Sequence, residues 1–249
     1  MSRRLSEADL AAMQKAGKVA AQILRDLETF IAPQVATKDI EKFFDNALAK
    51  HPGMSAAFKG YNGFPSSVCV SLNDEVIHGI PSDTRVIKSG DLVSVDLGIK
   101  YKGVYVDTAY TYMVGEVNDL AKKLCKVTKE ALWEGIRQAL PGSRVGDVGS
   151  AVQNLAEKSG FSVVRQFVGH GIGKDLHLPP EVPNFGRKKV GFELKENIAL
   201  AIEPMVAVGN YEVIIDKDGW TARTKDGSLS AHYEHTVVVT KDGPLVITV

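Results

Sequence analysis

Apolar side chains recur at helical spacing from the start of the chain: Leu10, Met13, Ala16, Ala20, Ile23, Leu24 and Leu27 lie mainly on one face. Ser6 followed by Asp9 forms an N-cap pattern, with Asp in place of the usual Glu. Gly17 interrupts the run, at a cost of about 1 kcal/mol against Ala, and Pro33 closes it. A second helix is expected from Thr37, with Ile40, Phe43, Phe44 and Leu48 on one side. Gly53, Gly60, Gly63 and Pro65 then mark irregular chain. Short extended segments follow at 66–73 and 76–81, and 91–115 predicts a β-hairpin, two β-branched, aromatic-rich runs around a tip at 100–103. The order then repeats. A helix is expected from about Asn118 to Ala139, with Leu120, Leu124, Val127, Ala131, Leu132 and Ile136 on one face. Another spans 146–158 and ends at Gly160. Strands are expected in 161–170, 198–208, 211–216 and 232–240. Two helices followed by strands, twice over, imply two related halves, and no linker or low-complexity stretch divides them. The expectation is one compact α/β (α+β) domain over residues 1–249.

Composition narrows the function. Of 249 residues, 44% are hydrophobic and 24% charged, which is ordinary for a globular protein whose length can bury one large core. Lys plus Arg and Asp plus Glu both number 30, so nothing suggests a general nucleic-acid or anionic-membrane binder, which would carry a basic excess. Cys69 and Cys125 make no disulfide framework, which favours a reducing compartment, the cytoplasm. The basic N-terminal residues are not followed by an apolar core, so no secretory signal is expected. No apolar run approaches the length of a membrane span.

The chemistry lies in carboxylates set among apolar residues. With the hairpin tip between Tyr101 and Lys102, Asp96 and Asp107 face each other on one side of the sheet, Cβ atoms about 4.5–5.5 Å apart. Two such carboxylates repel unless they share a proton or a cation. Solvated edge-strand aspartates are the plain alternative, but the flanking valines imply burial. Glu203 sits inside the apolar run 198–208 ahead of Pro204, where a bulge or sheet edge is expected. Glu234 poses the same problem in 230–240, and neither run contains an Arg or Lys to pair with. His170, between glycines after an apolar strand, and His177, in a Gly/Pro-rich loop, are weak signals singly; each is open to a purely structural role. Together, four carboxylates and one imidazole suit Mn²⁺, Fe²⁺, Co²⁺ or Zn²⁺ in a catalytic role. A structural zinc site would use cysteines. Five ligands with bridging carboxylates can hold two metals about 3.5–4 Å apart, as in hydrolytic two-metal centres.

The segments VDLG, DTA, GHGIG, IEP and YEHT, in that order, resemble those of the methionine aminopeptidases. These belong to the pita-bread metallopeptidases, with prolidase, aminopeptidase P and creatinase. The resemblance covers nearly the whole chain and implies a curved antiparallel sheet covered by helices in two pseudo-symmetric halves. It implies two divalent ions (Mn, Co, Fe or Zn), Asp96 on one, His170 and Glu203 on the other, Asp107 and Glu234 bridging. Glu203 would shuttle the proton, His78 would hydrogen-bond the leaving-side peptide, and His177 would steady the carbonyl oxygen. Tyr61, Phe64, Cys69 and Trp220, with Phe58 and Leu176, would surround the methionine thioether. Chain length favours the short, bacterial-style type I enzyme, a monomer acting on nascent polypeptide N-termini, with ribosome association a further expectation. His232 and Leu176 depart from the family, which usually has Gln and a bulkier aromatic there, and 178–185 is richer in proline. Alternatives are an Xaa-Pro peptidase of the same fold or a silent peptide-binding module.

Overall fold

The computed structural model describes residues 4–249. Helix α1 (Glu7–Phe30) opens with the expected capping box: the Asp9 N–H donates to the Ser6 hydroxyl and the Ser6 N–H to the Asp9 carboxylate, each at 3.2 Å. Its apolar face, Met13, Ala16, Ala20 and Leu27, is fully buried. Gly17 also lies on this face, where a Cβ would run into the backbone carbonyl of Ile247. The interruption seen in the sequence is a close crossing. After α2 (Thr37–Leu48) come β1 (Met54–Ala56), β2 (Val68–Leu72), β3 (Glu75–Ile77) and the hairpin β4 (Leu92–Tyr101) and β5 (Val104–Met113). The second half repeats the order with α3 (Asp119–Arg137), α4 (Val145–Lys158) and shorter strands. These are β6 (Ser162–Val163), β7 (Gly169–Ile172), β8 (Leu178–Val182), β9 (Ala199–Ile202), β10 (Met205–Ala207), β11 (Val213–Ile215), β12 (Ala222–Thr224), β13 (Ser230–His232), β14 (Glu234–Thr240) and β15 (Gly243–Val246).

The main sheet is a curled antiparallel half-barrel in the order β1-β4-β5-β14-β9-β7-β8, with β2 also on β4 and β15 on β14. Its two halves meet where β5 pairs β14, Glu234 opposite Ala109 and His235 opposite Thr108. Two small sheets, β13-β10-β6 and β11-β12-β3, flank it. One apolar cluster packs α1 and α2 on β4 and β5; a second packs α3 and α4 on β9, β10 and β14. No helix among the described residues is long and apolar enough to cross a membrane.

Three expectations need correction. The hairpin turn is centred on Lys102 and Gly103, both at positive φ (48° and 76°), so Tyr101 pairs with Val104. Asp96 therefore faces Ala109, and Asp107 faces Gly98. The slip is two residues, an even number, so both carboxylates keep the same face but stand diagonally rather than opposite. Leu120 does not join the buried face of α3: it is 47% exposed in the first turn, and Cys125 is buried instead. The apolar runs 198–208 and 232–240 are not continuous strands. The first breaks at Glu203–Pro204, passing from β9 in the main sheet to β10 in a small one, because proline has no N–H for the ladder. The second breaks at Tyr233, between β13 and β14, and 161–170 is extended only near its ends.

Candidate metal centre and substrate cavity

Each carboxylate sits where the backbone is held on both sides. The Thr236 hydroxyl accepts from the Asp107 N–H and donates to the Asp107 carbonyl, both at 2.8 Å. The Thr108 N–H donates to Asp107 Oδ1 at 3.0 Å, and its hydroxyl donates to the Glu234 carbonyl at 2.8 Å. Threonines thus stitch β5 to β14 at the level of the two buried acids, Asp107 and Glu234. Asp96, opposite Cys69 on β2, joins them from β4. Glu203 is presented by the break after β9, where fully buried Asn184 donates to its carbonyl at 3.0 Å.

His170 enters from β7 between Gly169 and Gly171. A Cβ at either glycine would collide with a neighbouring carbonyl, Ala201 or Pro179, so only glycine lets the strands close here. His170 Nδ1 lies 2.9 Å from the Gly171 carbonyl. A carbonyl only accepts, so the proton is on Nδ1 and the Nε2 lone pair is bare. That Nε2 is 3.6 Å from Glu203 Oε1.

Among the described residues no Lys or Arg stands within ion-pair distance of these four carboxylates, which removes the buried salt bridge as an explanation. Burial, reinforced by the neighbouring acids, holds the carboxyls of Asp107, Glu203 and Glu234 well above their ordinary values; burial raises Asp96 as well. Asp96 Oδ1 and Glu234 Oε1 are buried without a hydrogen-bond partner. Donor atoms of Asp107, His170 and Glu234, and again of Glu203, His232 and Glu234, lie within 4.8 Å of one another. Orphaned acceptors, clustered carboxylates and a bare imidazole nitrogen fit divalent cations, which would replace the protons these groups otherwise retain.

Beside the carboxylates lies a cavity of about 190 Å³ lined by Phe58, Tyr61, Asn62, Phe64, Cys69, His78, Leu176, His177 and Trp220. All thirteen residues singled out from the sequence face this one space. Its walls are organised: Phe64 and Trp220 meet edge to face at 5.2 Å, and the Asp218 carboxylate accepts from the Trp220 N–H at 2.8 Å to fix the turn that carries it. The Tyr61 hydroxyl is 3.0 Å from His177 Nδ1, and the His177 ring stands perpendicular to His170 at 4.2 Å. Burial lowers His170 to about 3 and His78 to about 4, so both imidazoles are neutral near pH 7. Burial, with the nearby carboxylates, pushes the Cys69 thiol up, which keeps it neutral too. A larger groove of about 630 Å³ continues past His78, His177 and Glu203 between Phe167, Pro179 and Glu181.

Sequence reasoning missed Asn62, whose positive φ of 48° sits in a glycine-flanked turn. It also missed Asn184 and the threonine stitches. The Gly-Tyr-Asn-Gly punctuation was a signal for Asn62; nothing local marks the others, because their partners lie far away in the chain.

The model of metallopeptidase family M24 matches residues 11–241. A methionine aminopeptidase of Clostridium acetobutylicum is 44% identical over 243 residues, covering 98% of this chain and 97% of its own. The crystal structure of the methionine aminopeptidase of Thermotoga maritima superposes with a TM-score of 0.98 at 43% identity, covering 100% of this chain and 99% of that one. An Xaa-Pro dipeptidase of Bacillus anthracis shares the fold at a TM-score of 0.78 and 22% identity, over 98% of this chain and 61% of its own.

Proposed function

The chain belongs to metallopeptidase family M24 and acts as a methionine aminopeptidase, and we propose that residues 1–249 form one catalytic domain that does so at the carboxylate cluster. The observation that carries the site is the cluster itself: Asp96, Asp107, Glu203 and Glu234 with His170, no Lys or Arg partner among the described residues, beside a soft-walled cavity.

Asp96 would hold one divalent ion, His170 and Glu203 a second, and Asp107 and Glu234 would be shared between them. When bound, two such ions (Mn, Co, Fe or Zn) lower the pKa of a water and polarise the scissile carbonyl. Glu203, carried by the break after β9 into the cluster and lining both the cavity and the groove, would take a proton from the attacking water and pass it to the leaving amine. Neutral His177, braced by Tyr61, offers a ring nitrogen to the carbonyl oxygen as negative charge develops. Neutral His78, at a positive φ of 60° after β3, lines both the cavity and the groove and would hydrogen-bond the leaving-side peptide. The cavity is smaller than the roughly 300–1,000 Å³ of drug-sized sites, so it takes a single side chain. Aromatic rings and the Cys69 thiol around it suit a thioether. The groove past His78 accommodates the rest of the peptide.

In this proposal the enzyme is a type I, cytoplasmic monomer whose substrates are nascent polypeptide N-termini, met at or near the ribosome. The experiment is release of methionine from Met-Ala-Ser by metal-stripped protein titrated with Mn²⁺, Co²⁺, Fe²⁺ and Zn²⁺, with an Ala-Pro peptide in parallel. Metal-dependent cleavage of Met-Ala-Ser alone is expected. Cleavage of the Ala-Pro peptide only, or no cleavage by folded protein with any ion, overturns the assignment.

A further inference from the structure

We propose that His232 is itself a ligand of the cation held by His170 and Glu203, so that this site carries two imidazoles. The inference rests on the metal-centre assignment above. His232 is the last residue of β13, just before the break at Tyr233, and is 1% exposed. Its backbone is pinned: the Thr111 hydroxyl accepts from its N–H at 3.0 Å and donates to its carbonyl at 2.7 Å. Its Nε2 has no hydrogen-bond partner and lies 3.7 Å from Glu203 Oε2, too far for a hydrogen bond. On the other side of the same carboxylate, His170 Nε2 lies 3.6 Å from Oε1. Glu203 is therefore flanked by two imidazole nitrogens, one per oxygen. His232, Glu203 and Glu234 form a trio whose donor atoms fall within 4.8 Å of one another, while His170 belongs to the adjoining trio with Asp107 and Glu234. Two atoms each about 2.1 Å from a common ion are at most about 4.2 Å apart. The trio of His232, Glu203 and Glu234 closes on one ion with side-chain shifts of a few tenths of an ångström.

A second imidazole changes which ions the site prefers. Imidazole favours Zn²⁺ and Fe²⁺, whereas carboxylate and water suit Mn²⁺. His232 should therefore tilt the site toward Zn²⁺ over Mn²⁺.

The full chain, stripped and then loaded with stoichiometric Zn²⁺, is examined by X-ray absorption at the zinc edge and by binding titrations with Zn²⁺ and Mn²⁺. Wild-type protein is expected to show scattering from two imidazoles per loaded centre, and His232→Gln from one. The same substitution should weaken Zn²⁺ binding by roughly tenfold or more and Mn²⁺ binding by less. Tight zinc binding with a single imidazole in wild type overturns the role of His232 and leaves the metal centre intact. An absence of cation binding by folded wild-type protein overturns both. The wild-type spectrum decides even if the variant folds poorly.

Discussion

At the scale of single residues, chemistry and metal holding are carried by overlapping but separable groups. His177 is in neither of the donor clusters that would hold a cation, so His177→Ala should lower kcat by about 10²–10³, the cost of one oxyanion donor, while metal affinity stays near wild type. Steady-state kinetics with a parallel metal titration checks this; equal loss of both would make His177 a structural support for His170. Asp107 is stitched to Thr236 and Thr108 and is assigned to both ions, so Asp107→Asn should lose activity and metal binding together. Full activity of that variant at saturating metal would remove the bridging role. Asp96, Asp107, Glu203 and Glu234 were legible in the sequence because an acid inside a valine- and alanine-rich run has no inexpensive resting place. His78 and His177 were not legible by themselves. An imidazole in a loop has too many satisfactory environments, and only the resemblance singled these out.

At the scale of elements, helix α1, the hairpin and the broken strands aim the side chains. The β4–β5 hairpin closes through a two-residue turn, and because the slip from the expected register is even, the carboxylate face was legible though the pairing was not. The Gly17 crossing gives a test of packing. Ala is the better helix former by about 1 kcal/mol, yet a Cβ at position 17 would strike the Ile247 backbone, which side-chain rotation cannot relieve. Gly17→Ala should therefore destabilise the fold by a net ~1–3 kcal/mol, measured by urea unfolding; a gain in stability would mean that the chain end yields freely. Near the site, Arg223 pairs with Asp74, Glu75 and Asp216, and Arg85 also pairs with Glu75. This network ties β3 to β12 and so braces His78 and the turn carrying Trp220.

At the scale of the whole molecule, stability and metal binding are linked through pH. In the metal-free protein the raised carboxyls of Asp96, Asp107, Glu203 and Glu234 bind more protons than the unfolded chain does. Their stabilising contribution is complete below the ordinary carboxylate range, about pH 4, and is lost as pH rises through the folded values. Cation binding requires the deprotonated groups, so affinity changes in the opposite sense and grows with pH. The gain in Tm on adding Mn²⁺ or Zn²⁺ should therefore widen from about pH 5 to about pH 8, by about 3–6 °C for each tenfold gain in affinity. His78 and His235, both lowered to about 4, destabilise the metal-free fold as pH falls below about 6.5. A constant or shrinking metal-induced shift, followed by calorimetry, would show that the carboxylates are already ionised without a cation.

The sequence by itself determined the four helices and the central hairpin, that the order repeats in two halves, and which acids are too poorly solvated to stand alone. Those are consequences of local periodicity and of the cost of burying charge, and both can be read within a dozen residues. The short strands at 54–56, 178–182, 222–224 and 243–246 carry no such local signal. Tertiary structure decided where the apolar runs break between sheets and that Asp96 and Asp107 stand diagonally. It also decided that Asn184 and Thr236 hold the acids in place, and that His232 faces Glu203 rather than merely following the same strand as Glu234. Each of these depends on partners distant in the chain, and it is the curled sheet, set by pairing across both halves, that brings them within reach.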